Sequence, residues 1–131
     1  MQKPKPTLLS MVICDSVIDD RTTGKKSLIG IFNNISSSNV PCIHPRLNVF
    51  VVLTEGHGTY KMQLRCLKIG EEKQLLKMEG NVSFTDPMQI VEFNCEIVGL
   101  SFPDYGDYRF EVLFDDILIV GRKFGVSKDN G

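Results

Sequence analysis

The second half of the chain alternates between apolar and polar residues. Tyr60, Met62, Leu64 and Cys66 share one phase while Lys61, Gln63 and Arg65 take the other. The same two-residue period sets Val91, Phe93, Cys95 and Ile97 against Glu92, Asn94 and Glu96, and Tyr108, Phe110, Val112 and Phe114 against Arg109, Glu111 and Asp115. Successive side chains of an extended strand point to opposite faces, so this pattern predicts strands with one buried and one wetted side. The phase slips after Cys66, onto Leu67 and Ile69, and again between Ile119 and Phe124 around Gly121, which predicts a β-bulge near each.

The first half behaves differently. "LLSMVICDSVI", "SLIGIF" and "LNVFVVL" are apolar on both phases, with Val49 and Val51 on one side and Phe50 and Val52 on the other. A sheet face left in water should be polar, so something is expected to cover this one. The preferred cover is a second copy of the chain meeting Ile29, Ile31, Phe50 and Val52; a flap of the same chain is the alternative.

Strands are predicted over 8–19, 26–35, 47–54, 59–69, 74–79, 88–98, 107–114 and 117–126, separated by Gly, Asp, Asn and Pro. "DDRTTGK", "EGHG", "GEEK" and Asp115-Asp116 supply turn residues. Residues 71–78, "EEKQLLKM", are the one stretch with helical propensity. The longest irregular piece, 36–45, carries two prolines that interrupt pairing and reads as a loop. The expectation is one β-sandwich domain over 1–131, with 1–7 and 127–131 as frayed tails.

At 131 residues the chain is long enough to bury roughly two thirds of the surface its unfolded form exposes, so no staple is required. Fifteen basic and sixteen acidic residues give a net charge of −1 without a basic run, which argues against nucleic acid as a partner. The apolar run Leu8 to Ile13 is too short for a secretion signal, and no stretch approaches the roughly 18 apolar residues of a membrane helix. A cytoplasmic location is expected. Cys14, Cys42, Cys66 and Cys95 are broadly spaced with no C-x-x-C, and read as buried thiols.

"PDYGDYRFEV" contains Asp104-x-Gly106-x-Tyr108, which resembles the tyrosine corner near the start of the penultimate strand of immunoglobulin-like domains. The resemblance implies that the Tyr108 hydroxyl bonds back to upstream backbone, and that Phe110 stands as an aromatic plug where antibody domains carry a cysteine. It implies an all-β, immunoglobulin-like antiparallel β-sandwich of about seven strands plus an extra N-terminal strand. Over nearly the whole chain, the blocks "ICDSVIDDRTTGKKSLIGIFNNI", "HPRLNVFVVLTEGHGTYKMQL" and "GDYRFEVLFDDILIVGRKFGV" resemble a family of small uncharacterised bacterial proteins, a domain of unknown function. That resemblance implies a compact cytosolic β domain and defines no catalytic residue.

Candidate chemistry is sparse. Asp15, Asp19 and Asp20, or Asp104, Asp107, Asp115 and Asp116, would offer oxygens to calcium, but the D-x-D-x-D-G order is missing and most suit turns. Cys42 and His44, with His57, form a candidate binding loop and would begin a zinc site, without the further ligands such a site needs. No G-x-S-x-G and no phosphate-cradling glycine loop is present. The expected function is a non-enzymatic binding or interaction module, homodimeric, without cofactor, and with neither nucleic acid nor membrane as partner. A metal-binding protein is the alternative, followed by an enzyme using Cys42 or His44.

Overall fold

The computed structural model describes residues 3–129, and among them it shows nine strands and no helix. They are β1 (Thr7–Asp19), β2 (Lys26–Ile31), β3 (Asn34–Ser37), β4 (Cys42–Thr54), β5 (Gly58–Lys68), β6 (Lys73–Phe84), β7 (Val91–Phe102), β8 (Gly106–Phe114) and β9 (Ile117–Lys128). One sheet runs β2-β1-β4-β7 and the other β3-β9-β8-β5-β6. All pairings are antiparallel except β3 with β9, which is parallel. This is an immunoglobulin-like sandwich. It has one strand more than expected because residues 26–35 form two strands instead of one.

The inward phases of the two sheets meet in one core. Leu47, Val49, Val51 and Leu53 of β4 face Leu64, Cys66, Phe110 and Val112 across it, all essentially inaccessible. At one end Phe102, Tyr108, Phe110 and Phe124 form an aromatic cluster, with Phe110 stacked on Phe124 at 5.0 Å and Phe102 edge-on to Tyr108 at 5.0 Å. The Tyr108 hydroxyl donates to the carbonyl of Asp104 at 2.6 Å and accepts from its N–H at 3.3 Å, tying the β7–β8 connection to β8.

Several boundaries differ from the sequence reading. The run 26–35 breaks at Phe32 and Asn33: β2 stays with β1, while β3 crosses to the other sheet, where Gly125 N–H donates to Asn33 O at 2.9 Å. Most of the expected loop 36–45 is strand, because β4 already begins at Cys42. Pro45, which has no N–H to give, falls opposite Gly99 at a rung where neither residue pairs. Of residues 71–78, Glu71 and Glu72 lie in the turn and 73–78 enter β6, where pairing with β5 overrides the local helical propensity. The shift near Cys66 is present, but the extra residue is Leu75 on β6; the second falls at Ile119 rather than Gly121. The expected frayed tails are corrected in part. Lys3 bridges to Asp115 at 2.8 Å, Pro4 O accepts from the Tyr60 hydroxyl at 2.6 Å, and Ser127 and Lys128 belong to β9. Residues 1–2 and 130–131, also expected to fray, lie outside the described residues.

The doubly apolar sheet is covered by its own chain. β1 pairs with β4 up to Cys14–Asn48 and beyond that only with β2. At the far tip of this hairpin Lys26 Nζ lies 2.6 Å from Asp19 and 3.3 Å from Glu92. Glu92 stands beside Val52, which faces Ser10. A straight β1 would carry Asp19 roughly 30 Å beyond Ser10, out of reach of Glu92. The hairpin therefore folds back after Cys14, as an arm across the outer face of β4 and β7. Asn48 Nδ2 donates to Asp15 O at 2.8 Å and Asn94 Nδ2 donates to Asn48 Oδ1 at 2.9 Å, which anchors the bend. Phe50, on the outer phase, is consequently only 7% exposed. Its assignment to an accessible interface, together with half-buried Val52, is corrected: the flap is what covers them.

Gly30 sits opposite Asp15 at φ +71°, and a Cβ there would collide with the Asp15 carboxylate. A left-handed conformation costs a side chain about 1–2 kcal/mol even before that collision. Gly30→Ala is expected to loosen the arm and speed trypsin cleavage at Arg21, Lys25 or Lys26 by about tenfold, since 1.4 kcal/mol corresponds to a factor of ten. Cleavage at the wild-type rate would rule out this account of the bend.

Candidate interaction surface

The residues of the expected binding loop do not meet. Cys42 opens β4 and His57 follows its far end, so roughly 40 Å of extended strand separates them. Cys42 is buried beside Phe102 in the core, and His57 is exposed, its backbone N–H donating to the Tyr60 hydroxyl at 2.9 Å. His44 sits near the arm's bend, its ring 5.5 Å from Phe32 and its Nε2 3.8 Å from Asp15. Among the described residues no group of three or more His, Cys, Asp or Glu side chains is arranged to hold a metal ion.

The acidic residues are spread over turns and ion pairs. Asp20 accepts from Thr22 N–H at 2.8 Å and caps the arm's tip. Asp104 and Asp107 lie 3.5 Å from Lys68 and Lys123, respectively. Asp115 accepts from Lys61 N–H at 2.8 Å, and the hydrogen bond from the Lys3 ammonium holds its carboxyl below the usual range. Residues 3–6 thereby strap one end of the sandwich, over a cleft of about 180 Å³ lined by Tyr60, Phe114, Ile117 and Ile119.

All four cysteines are free and buried. Burial pushes the Cys66 thiol up to about 12 and Cys95 to about 11. Cys14 is raised by burial first and by the neighbouring Asp15 charge second. The thiolate is the reactive form, so these three are poor nucleophiles near neutral pH.

Two surface features were not visible in the sequence. The outer face of the five-stranded sheet carries a polar chain in which Glu111, almost fully buried, accepts from Arg65 at 2.7 Å and Arg109 at 2.8 Å, and Arg109 reaches Glu72 at 3.0 Å. Arg109 and Glu111 are neighbours on β8, whereas Arg65 and Glu72 are distant in sequence, and Arg65 meets Glu111 through the β5–β8 register. The second feature is the arm's two-sidedness. Val17 and Leu28 form one rung and are half-buried toward the sheet, whereas Ile18 and Ile29, on the opposite phase, are about half exposed, and Ile31 is 61% exposed. Ile43 and Val98 are exposed on the neighbouring end of β4 and β7.

The family of unknown function DUF6941 matches residues 9–127, which takes in all nine described strands apart from the first two residues of β1 and the last of β9. The chain belongs to this family. No curated protein matches the sequence. Among solved structures, an immunoglobulin-like protein from Pseudomonas aeruginosa is 14% identical over 94% of this chain and 97% of that one, with a TM-score of 0.43. A β-glucosidase from Kluyveromyces marxianus is 13% identical over 71% of this chain, with a TM-score of 0.44; this chain spans 14% of its length. Both likenesses are distant. For this DUF6941 member the immunoglobulin-like architecture rests on its own strand order.

The thiol environment makes a pH prediction. The folded state holds the Cys66 proton up to about 12, whereas the unfolded chain releases it near 9.0. Its contribution to stability is therefore complete below pH 9 and is lost as pH rises through that window. Urea unfolding between pH 9 and 11 should show wild-type stability falling more steeply than that of Cys66→Ala, by roughly 1 kcal/mol per pH unit. Parallel slopes would contradict the burial of this thiol.

Proposed function

We propose that this chain is a non-enzymatic interaction module of the cytoplasm that pairs with a second copy of itself through the outward side of the β1–β2 arm. The carrying observation is the exposure of Ile29 at 50% and Ile31 at 61% on a hairpin whose inward residues already serve the protein's own sheet. Further support comes from Ile18 on the same outward phase, which makes a compact apolar patch suited to an isologous two-fold contact. Four reduced, buried thiols fit a reducing compartment. The near-neutral net charge of −1 gives phosphate backbones little to attract them. No helix among the described residues is long and apolar enough to cross a membrane.

Burying a whole isoleucine contributes about 1.5–3 kcal/mol, and these are half exposed to begin with. Placing a carboxylate at both positions on both copies should weaken a dimer by at least about a hundredfold, equivalent to about 2.8 kcal/mol. Native mass spectrometry of the untagged wild-type chain is expected to show a dimer without added mass. Ile29→Asp/Ile31→Asp should be monomeric with an unchanged urea midpoint. A monomeric wild type, or a double variant that remains dimeric, would defeat the proposal.

A further inference from the structure

A different surface, the edge of β9, carries a second inference that does not depend on the arm. β9 pairs with β8 along its length, but on its other side β3 accompanies it only from Gly125 to Lys128. Gly125 N–H points to that other side, since it donates to Asn33 O. In an antiparallel ladder, residues two apart direct both backbone groups the same way. Gly121 and Lys123, in unbroken register with Gly125, therefore turn their N–H and C=O groups outward, where among the described residues no strand pairs with them, although β1 of the facing sheet comes close to β9. The edge ahead of β3 is unpaired, and 117–123 contains no proline to blunt it.

The facing sheet is open at the same level. β1 meets β2 only from Cys14 onward. Pro6 borders the cleft that contains Ile117 and Ile119, and Ile13 O accepts from Phe32 N–H immediately before Asn33 meets Gly125. The stretch between them runs alongside 119–124, and it presents Leu9 at 52% exposure. Ile117 at 54% and Leu118 at 46% add apolar surface at the start of this edge.

Arg122 supplies the chemical signal. It lies on the inward phase of β9, opposite Phe110 and between Val120 and Phe124, yet its Nε is buried with no hydrogen-bond partner. Among the described residues it makes no ion pair, although every other arginine on the strands of this sheet is paired with a carboxylate. Arg122 as a whole is half-buried, but a buried guanidinium N–H without an acceptor is costly, and a carboxylate arriving beside it relieves that cost.

We infer that the open β9 edge receives an extended peptide segment of another protein as an added strand, in line with β3. The segment is alternating in character, with apolar residues over Leu9 and Ile117 and an Asp or Glu at the inward position beside Arg122. Main-chain bonds to Gly121 and Lys123 supply affinity, and the carboxylate supplies selectivity.

The test uses the full-length chain and a randomised twelve-residue peptide display library as probe. Selection on the wild type is expected to enrich alternating apolar sequences with an acidic residue at a fixed inward position. Lys123→Pro removes an outward N–H without breaking a β8 bond, and should abolish recovery of those sequences. For the most enriched peptide, fluorescence anisotropy should show at least tenfold weaker binding to Arg122→Met. Selection on Arg122→Glu should switch the enriched charge to Lys or Arg, which a merely structural role for Arg122 would not produce. Native mass spectra of these variants should match the wild type, which separates this edge from the arm contact. Failure to enrich any sequence would overturn the inference. Enrichment without an acidic preference, or an unaltered preference on Arg122→Glu, would do so as well.

Discussion

Phe110 lies flat on Phe124, with Tyr108 and Phe102 closing the remaining sides, and the two sheets are joined at this point. An immunoglobulin domain of antibody type ties its sheets with a disulfide. This chain ties them by packing, since its four cysteines are free and Phe110 fills the place of the bridging sulfur. Full burial of one aromatic ring contributes about 1.5–3 kcal/mol, comparable to the 2–4 kcal/mol typical of a disulfide. A cluster of four can thus replace the covalent link. The Tyr108–Asp104 hydrogen bond fixes the cluster's approach, because it sets where β8 begins and hence which of its residues face inward.

That inward phase propagates through the second sheet. β8 pairs in register with β5 and, apart from one displaced residue at Ile119, with β9, so a core position in one strand fixes those beside it. The outward phase receives Glu111 and its two arginines, a polar layer pressed close enough to the backbone that Gly121 leaves room for the Arg109 side chain. The first sheet is mixed: β7 sets Glu92, Asn94 and Glu96 on the outer phase, but apolar residues stand beside them. Its outer face carries Phe50 and Cys14, and the chain shields them by turning its own hairpin over them. One sandwich thus meets the problem of an outer face in two ways, by charge on one sheet and by a third layer on the other.

What the sequence made legible follows from the range of the forces involved. Alternation at 60–66 and 108–114 is a local signal, and the strands there match it. Apolarity on both phases around Phe50 correctly announced a cover, but which cover depended on Lys26 meeting Glu92 across 66 residues, and neither position carries a local mark of that pairing. The break at Phe32-Asn33 left only a weak local mark, the pair Asn33-Asn34 between the apolar Phe32 and Ile35; what ends β2 is the crossing to the other sheet. Pro41 and Pro45 suggested a loop, yet Pro45 fits a strand because its rung faces Gly99 and needs no N–H. As for the sites, Cys42, His44 and His57 looked like neighbours along the chain and are dispersed by the length of β4. Arg122 drew no notice, because an arginine among apolar residues becomes unusual only once its strand is seen to lie at an open edge.

The arm leaves the sandwich and returns to it at almost one point, where Phe32 N–H donates to Ile13 O at 3.0 Å. Topologically it is a closed excursion, inserted where the chain passes from one sheet to the other, and beyond Cys14 its two strands pair with each other and with no other strand. Doubling the length of such a loop costs only about 0.6 kcal/mol, so the excursion can grow or shrink across relatives while the frame stays the same. Shortening it past Lys26 would uncover Phe50 and turn a closed, soluble face into an adhesive one. The length of this single hairpin thus sets how much of the domain is frame and how much is available for contact.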